Sequence, residues 1–294
     1  MDKLREYIKL KRPSLANSTI VTYSSIIFNV FKNVFQKDIF SIDKLNNEAE
    51  KVIQSLAELK PSSRKTKLSA LYILTDNETY KNHMMDDIQC YKKDVQKQSM
   101  TDEDKSNWVS ENKINELLQE LKTKANFLFK KKILSINDLQ EIQDYIILLL
   151  YSGIISVRRS KDYVDFKIKN IDKVNNNFME RNKFIFNVYK TAKFYGKQEI
   201  ELPLSFKKTI LQWIKINPTE YLLFDSNKNK LNSVKINHRL NKIFGKDKGS
   251  GTNMLRHAFL SNKYKHTIDT NKELANDLAN MGSSMGQSTT YIKQ

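Results

Sequence analysis

Seven glycines and four prolines in 294 residues leave few places where the backbone must break. That scarcity constrains the fold more than any other feature of the chain, because few residues here supply a positive φ or block a helix. Most of the chain is therefore expected to be helical. Apolar spacing agrees. From an N-cap candidate at Ser18-Thr19, residues Ile20, Tyr23, Ile27, Val30, Phe31 and Val34 recur at helical intervals. Leu45, Ala49, Val52, Ile53 and Leu56 repeat the pattern, as do Leu68, Leu71 and Leu74 after Pro61-Ser62-Ser63, and Met84, Ile88 and Tyr91 after that. Together they predict a small helical bundle over residues 1–94. The stretch DVQKQSMTDEDKSN, Asp94 to Asn107, is almost without large apolar side chains and reads as the linker, residues 95–107, to a second domain at 108–294.

The second domain opens with helical spacing through Ile114, Leu117, Leu118 and Leu121, then again from Leu139 to Leu150. At Tyr163 the texture changes. YVDFKIKNI, NKFIFNVYK and KQEIELP are short, alternating and separated by polar turns, which predicts a three-stranded antiparallel sheet. Helical periodicity returns from Phe206 to Ile216, Val234 to Phe244, Asn253 to Tyr264 and Glu273 to Met281. The fold class is thus mainly α with a small antiparallel β-sheet.

Charge narrows the function. Fifty Lys and Arg against 33 Asp and Glu give a formal net charge of +17, while 39% of residues are hydrophobic, so this is a folded basic protein and its partner is anionic. Nucleic acid fits best, since each cation that neutralises a phosphate releases counterion. A membrane partner is not expected, because no amphipathic end with a Lys/Arg face and no lipidation motif is present. The longest apolar stretch, Tyr145 to Val157, carries a Gly and two Ser and is too short to span a bilayer. MDKLREYIKLKR at the start is too densely charged for a secretory leader. Cys90 is the sole cysteine, so neither a disulfide framework nor a thiolate zinc cage is expected, and the reading includes no metal and no cofactor.

Three segments carry candidate chemistry. In SVRRSKDYVDF, Arg158 and Arg159 follow directly on the apolar helix and Asp162 lies three residues past Arg159. VYKTAKFYGKQ is a lysine-rich hairpin in which Lys190 ends a predicted strand. NMLRHAFLSNKY sets Arg256 and His257 in an otherwise apolar helix. Each alone has an ordinary explanation: arginines at a helix end, a solvated basic hairpin, and an Arg-His pair bonded to local carbonyls.

Their order is more telling. Arg-x-x-Asp, a hairpin Lys-Thr, Leu-Arg-His, and Met-Gly-Ser-Ser with Tyr291 eight residues after Ser283 together resemble the catalytic domain of the tyrosine recombinases, the phage-type integrases. RPSLANSTIVTY in the N-terminal bundle resembles the opening of that family's core-binding domain. RSKDY, YKTAKFYG and MLRHAFLS are most similar to divergent integrases of viruses, virophages and mobile elements. The resemblance implies a helical core-binding domain joined to a tyrosine-recombinase catalytic domain. It also implies double-stranded DNA as partner, a homotetramer on that DNA, and an intracellular location with the DNA.

The same resemblance implies roles. Tyr291 attacks a phosphodiester and leaves a 3'-phosphotyrosyl link, which stores the bond energy without a nucleotide cofactor. Arg159 and Arg256 clamp the non-bridging oxygens, a task for which a planar guanidinium is better shaped than an ammonium. Lys190 protonates the departing 5'-oxygen, and Asp162 supports Arg159 from behind. Arg158 is the alternative first arginine. Two positions depart from the family pattern: Asn253 and Ser283 stand where relatives carry His, or His or Trp. Both still donate hydrogen bonds to phosphate, but neither is a base near neutral pH. His257 is a supporting residue. Two alternatives stay open: a nicking-closing enzyme like the type IB topoisomerases, and a catalytically impaired DNA-binding protein on a recombinase scaffold.

Overall fold

The computed structural model describes residues 1–36, 39–97, 99–245 and 249–280, with side chains at all of these except 265, 268, 272 and 275–280. Contacts divide the chain into two units, Met1–Met100 and Thr101–Gln294.

The first unit is helical: α1 (Asp2–Lys11), α2 (Asn17–Phe35), α3 (Ile42–Asn47), α4 (Ala49–Ser55), α5 (Pro61–Thr75) and α6 (Glu78–Gln96). Helix α1 has no counterpart among the expected elements, because its dense charge hides a two-residue apolar stripe. Leu4 and Ile8, one turn apart, are the residues it buries. Ser18 and Thr19 lie inside α2, whose N-cap is Ala16 with no side-chain cap. The run from Leu45 to Leu56 is two helices that meet at Glu48, where φ is −108° and ψ is 36°. Helix α6 extends to Gln96, into the segment read as a linker. Ile8, Ile27, Phe31, Leu45, Leu68 and Leu71 form the centre of the core. Helices α5 and α6 are tied by Arg64, which donates to both oxygens of buried Asp87 at 2.9 and 2.6 Å.

The second unit starts in the same stretch. Helix α7 (Asp102–Asn107) is closed by a reciprocal capping box between Thr101 and Asp104. Helices α8 (Glu111–Leu128) and α9 (Ile136–Tyr151) follow, α9 with a second capping box between Ser135 and Asp138. Helix α9 is the spine of the unit: Leu139, Ile142, Gln143 and every residue from Tyr145 to Tyr151 are buried. Beyond it come α10 (Ser160–Val164), β1 (Phe166–Lys167), β2 (Asn177–Glu180), β3 (Lys183–Phe186), α11 (Ala192–Tyr195), β4 (Gln198–Glu201), α12 (Leu204–Ile216), α13 (Ser233–Phe244) and α14 (Thr252–Asn280).

The sheet has four strands in the order β1-β2-β3-β4, and it is mixed rather than wholly antiparallel. Strands β2, β3 and β4 pair antiparallel, while β1 runs parallel to β2 with Phe166 opposite Asn177. Alternation marks a strand but carries no record of its partner's direction, which is why the parallel pair was not legible. The first predicted strand is also mostly something else, since Tyr163 and Val164 end α10 and only Phe166 and Lys167 join the sheet. The two periodic runs that begin at Asn253 and Glu273 merge into the single helix α14, which is described as far as Asn280.

Two polar contacts fasten the outer elements to α9. Fully buried Gln143 acts as a surrogate backbone: its amide donates to the Phe224 carbonyl at 2.8 Å and its oxygen accepts from the Phe224 N–H at 2.8 Å. Arg239 of α13 donates to Asp144 at 2.7 Å and also to the side chain and carbonyl of Gln140. Replacing Gln143 by Leu keeps the volume, leaves the Phe224 N–H without its partner, and leaves the carbonyl only the longer bond from Gln140 Nε2 at 3.4 Å. An unsatisfied buried polar group costs about 1–3 kcal/mol, so Gln143→Leu is expected to destabilise the second unit by about 2–4 kcal/mol. Denaturant unfolding of the full chain, read at the second unit's transition, measures this.

Candidate functional site

The segment after α9 is shaped by a turn that needs glycine. Gly153 has φ of +89°, and a Cβ there would sit 3.1 Å from the ring of Phe259 in α14. Past the turn, Ile155 and Val157 are buried and anchor the backbone. Arg158 and Arg159 come next, both half-buried, and Arg159 is the extended N-cap of α10 with ψ of 149°.

Asp162, three residues into that helix, is 3% exposed. Its Oδ2 accepts from Nε of Arg158 at 2.9 Å, so its hydrogen-bonded partner is Arg158, not Arg159 as the Arg-x-x-Asp spacing suggested. The reason lies outside the local sequence. The Arg158 guanidinium sits over two rings, 3.9 Å from the Phe186 centroid and 4.9 Å from that of Tyr189, and this slot holds it beside the carboxylate. The other carboxylate oxygen, Oδ1, is buried and without a hydrogen-bond partner among the described residues.

Sequence reasoning missed Asn177, the residue that joins this segment to the basic hairpin. Its amide donates to the carbonyls of Asp162, at 2.9 Å, and Val188, at 2.8 Å, while its oxygen accepts from the N–H groups of Asn187 and Val188 at 2.9 and 2.8 Å. A run of three asparagines reads as turn material, and nothing in it marks the third as a fully engaged core residue.

Arg256 approaches from α14, where Met254, Leu255 and Ala258 are buried around it. Its pKa is depressed, first by burial and next by the charge of Arg159, so these two guanidinium groups are near enough to repel. Neither has a carboxylate hydrogen-bond partner among the described residues. Asp162 is raised: burial dominates, ahead of the attraction of Arg158, Arg159 and Arg256. Burial likewise raises Tyr151, whose hydroxyl is buried and has no partner among the described residues. The site thus gathers three guanidinium groups around one carboxylate, an arrangement that accepts an anion bearing several oxygens.

The remaining candidates fall in three places. Lys190 is exposed in the connection between β3 and β4, beyond the strand end at Phe186 and not on the strand. Asn253 is exposed in the first turn of α14. His257, also exposed, lies toward α7, where its charge is a minor contributor to the lowered pKa of Asp104 behind the two hydrogen bonds from Thr101. Tyr291 and Ser283 lie outside the described residues. Among those residues no group of three or more His, Cys, Asp or Glu side chains is placed to hold a metal ion, and no helix is long and apolar enough to cross a membrane.

No protein-family profile matches this chain, and neither does any curated protein. Two solved structures are similar to it in fold. One is XerA recombinase, at 12% identity over 89% of this chain and 84% of that one, with a TM-score of 0.38. The other is XerH site-specific recombinase bound to its difH substrate in a pre-cleavage complex, at 14% identity over 90% of this chain and 83% of that one, with a TM-score of 0.41. The likeness is one of fold, mainly helical with a small mixed sheet, and it gives no residue a role.

Two outcomes are expected. Arg256→Met keeps the apolar stem and removes a desolvated, repelled charge, so the variant should be at least as stable as the parent at low salt in thermal unfolding. Asp162 titrates in the opposite sense from a salt-bridged surface acid. Its folded-state pKa is raised above 3.8, so the folded protein holds the proton more tightly than the unfolded chain does. Stability of the parent relative to Asp162→Asn should therefore fall as pH rises from 3.8 through the raised value, then level off. Unfolding free energies of the two proteins across that window give the sign directly.

Proposed function

We propose that this chain is a site-specific DNA recombinase that cuts and rejoins duplex DNA through a 3'-phosphotyrosyl intermediate. The observation that carries the reading is the pair Arg159 and Arg256: half-buried, mutually repelling, and without a carboxylate hydrogen-bond partner among the described residues. Like charges are kept together at such a cost where an anion is to be bound, and a net charge of +17 makes nucleic acid the natural source of that anion.

In the reaction the oxygen of Tyr291 forms a bond to phosphorus and the bond to the 5'-oxygen breaks. Charge grows on the non-bridging oxygens, where Arg159 and Arg256 supply fixed donors that water would have to reorganise to provide. Arg158 is held by Asp162 and two rings, so its task is to set the neighbouring Arg159 and the hairpin base. Lys190, exposed on that hairpin, gives the leaving 5'-oxygen its proton. Asn253 donates a hydrogen bond to phosphate and takes no proton, so the phenol's proton leaves by another route.

The test is a suicide duplex that traps the covalent step. Wild type should give a protein–DNA adduct that survives denaturant, forms in chelator, and maps to the peptide containing Tyr291. Tyr291→Phe should abolish it. Arg159→Ala and Arg256→Ala should each slow adduct formation by about 10²-fold or more while duplex affinity drops only modestly. No adduct from wild type, with duplex binding intact, would leave a DNA-binding protein on this scaffold. An adduct accompanied by plasmid relaxation but no joining of two duplexes would favour the nicking-closing reading.

A further inference from the structure

The connection between β3 and β4 carries two large aromatic rings into solvent. Phe194 is 73% exposed and Tyr195 is 70% exposed, side by side in α11. Single exposed apolar residues are ordinary, but two adjacent rings on the tip of a projecting turn are an apolar surface that folding leaves uncovered. The turn itself is built to hold them there. It closes at Gly196, with φ of +64°, and the Tyr189 hydroxyl donates to the Gly196 carbonyl at 2.7 Å.

The base of the turn is fixed as firmly as its tip is bare. Asn177 accepts from the N–H groups of Asn187 and Val188, and the rings of Phe186 and Tyr189 sit against the Arg158 guanidinium. The tip therefore projects from the same framework that carries Arg159. Its charge is one-sided: Lys190, Lys193 and Lys197 are exposed, and no acid occurs from Asn187 to Gln198. Lys197 pairs with Glu199 at 2.7 Å. Lys193 lies 4.9 Å from the Phe194 centroid, and among the described residues no carboxylate pairs with it or with Lys190.

We propose that Phe194 and Tyr195 form an aromatic wedge that enters between base pairs of duplex DNA and unstacks a step beside the phosphate held by the arginines, with Lys193 on a flanking phosphate. The proposal rests on the DNA reading above and adds to it a deformation of the substrate. The two requirements of such a wedge are met by neighbours in the chain: apolar rings that replace the stacking partner of a base, and a cation at their flank for the backbone. A side chain that unstacks a base step works against the stacking energy, so it favours DNA in which that energy is already lost.

The experiment compares affinities of the full chain for two duplexes of one sequence, one fully paired and one with a central two-nucleotide mismatch, by fluorescence anisotropy. Wild type should bind the mismatched duplex at least about tenfold more tightly. The Phe194→Ala/Tyr195→Ala double variant should keep the paired-duplex affinity within about threefold and lose the preference, because both rings are exposed and their removal leaves the core untouched. Equal wild-type affinity for the two duplexes, or a preference that survives the double substitution, overturns the wedge and leaves the DNA reading standing. Failure of wild type to bind either duplex overturns the DNA reading and the wedge together. Vesicles of phosphatidylglycerol and phosphatidylcholine make the third arm: ring-dependent binding there, with no duplex preference, would assign the rings to a membrane surface and overturn the proposal.

Discussion

One buried carboxylate faces three guanidinium groups, and the use of the second unit follows from how that imbalance is resolved. Asp162 spends its accessible oxygen on Arg158, which is also held over the rings of Phe186 and Tyr189. The pairing leaves Arg159 without an acid although Asp162 is three residues away. Had Asp162 bonded to Arg159, the site would have been an internally neutral ion pair with a spare arginine at its edge. Instead the neutralised arginine is the one that packs, and the two that remain, Arg159 at the start of α10 and Arg256 on α14, repel each other. Burial then depresses Arg256 and raises Asp162, opposite directions with one cause, since loss of water disfavours the charged form of each.

Such a centre lowers stability locally, so the surrounding structure has to hold it in place. Most of that support comes from α9. Its buried face anchors the sheet and the later helices, with Gln143 supplying a backbone-like pair to Phe224 and Arg239 binding α13 to Asp144. Its end delivers the chain into the Gly153 turn, where φ is +89° and a Cβ would sit 3.1 Å from the ring of Phe259 of α14. A single turn thus sets both halves of the site, because Arg159 follows it in the chain and Arg256 precedes Phe259 by three positions on the helix. Tyr163, next to Asp162 in the chain, forms with Phe166, Phe184 and Phe186 an edge-to-face aromatic cluster with centroids 4.8 to 6.4 Å apart. Rigid rings are a suitable bed for a charge that has to be held without water.

Much of this was legible in the sequence, for identifiable reasons. Long helices with strong periodicity, such as α2, α9 and α13, emerge close to their expected positions because an apolar stripe at 3.6-residue spacing has one simple packing solution. Arg159 and Arg256 were singled out because their segments stand in an order, with Lys190 and Tyr291, that resembles the tyrosine-recombinase pattern. What stayed hidden depends on contacts between distant segments. The partner of Asp162 was decided by a slot formed 24 and 27 residues downstream, at Phe186 and Tyr189. Asn177 carries four hydrogen bonds to three separate residues, and an asparagine among asparagines gives no hint of them. Helix α1 was lost because eight of its ten residues lie outside the buried stripe. The parallel strand β1 has only two residues, too few to show any period.

The geometry of α14 bears on the two positions where an imidazole is missing or displaced. Around the helix Asn253 lies about 60° from Arg256 and about 40° from His257, so spacing alone puts both beside it. Their surroundings tell the two apart: His257 is exposed and its electrostatic influence reaches Asp104 of α7, whereas Arg256 is half-buried and coupled to Arg159, Asp162 and Tyr151. His257 therefore adjoins Asn253 on the helix surface but stands among different neighbours from Arg256. Asn253 keeps a donor and gives up the ability to take a proton near neutral pH. In the reaction we propose, binding the anion requires only donors and cations, which positions 253 and 256 supply, while activating the phenol requires a base that the side chain at position 253 does not provide.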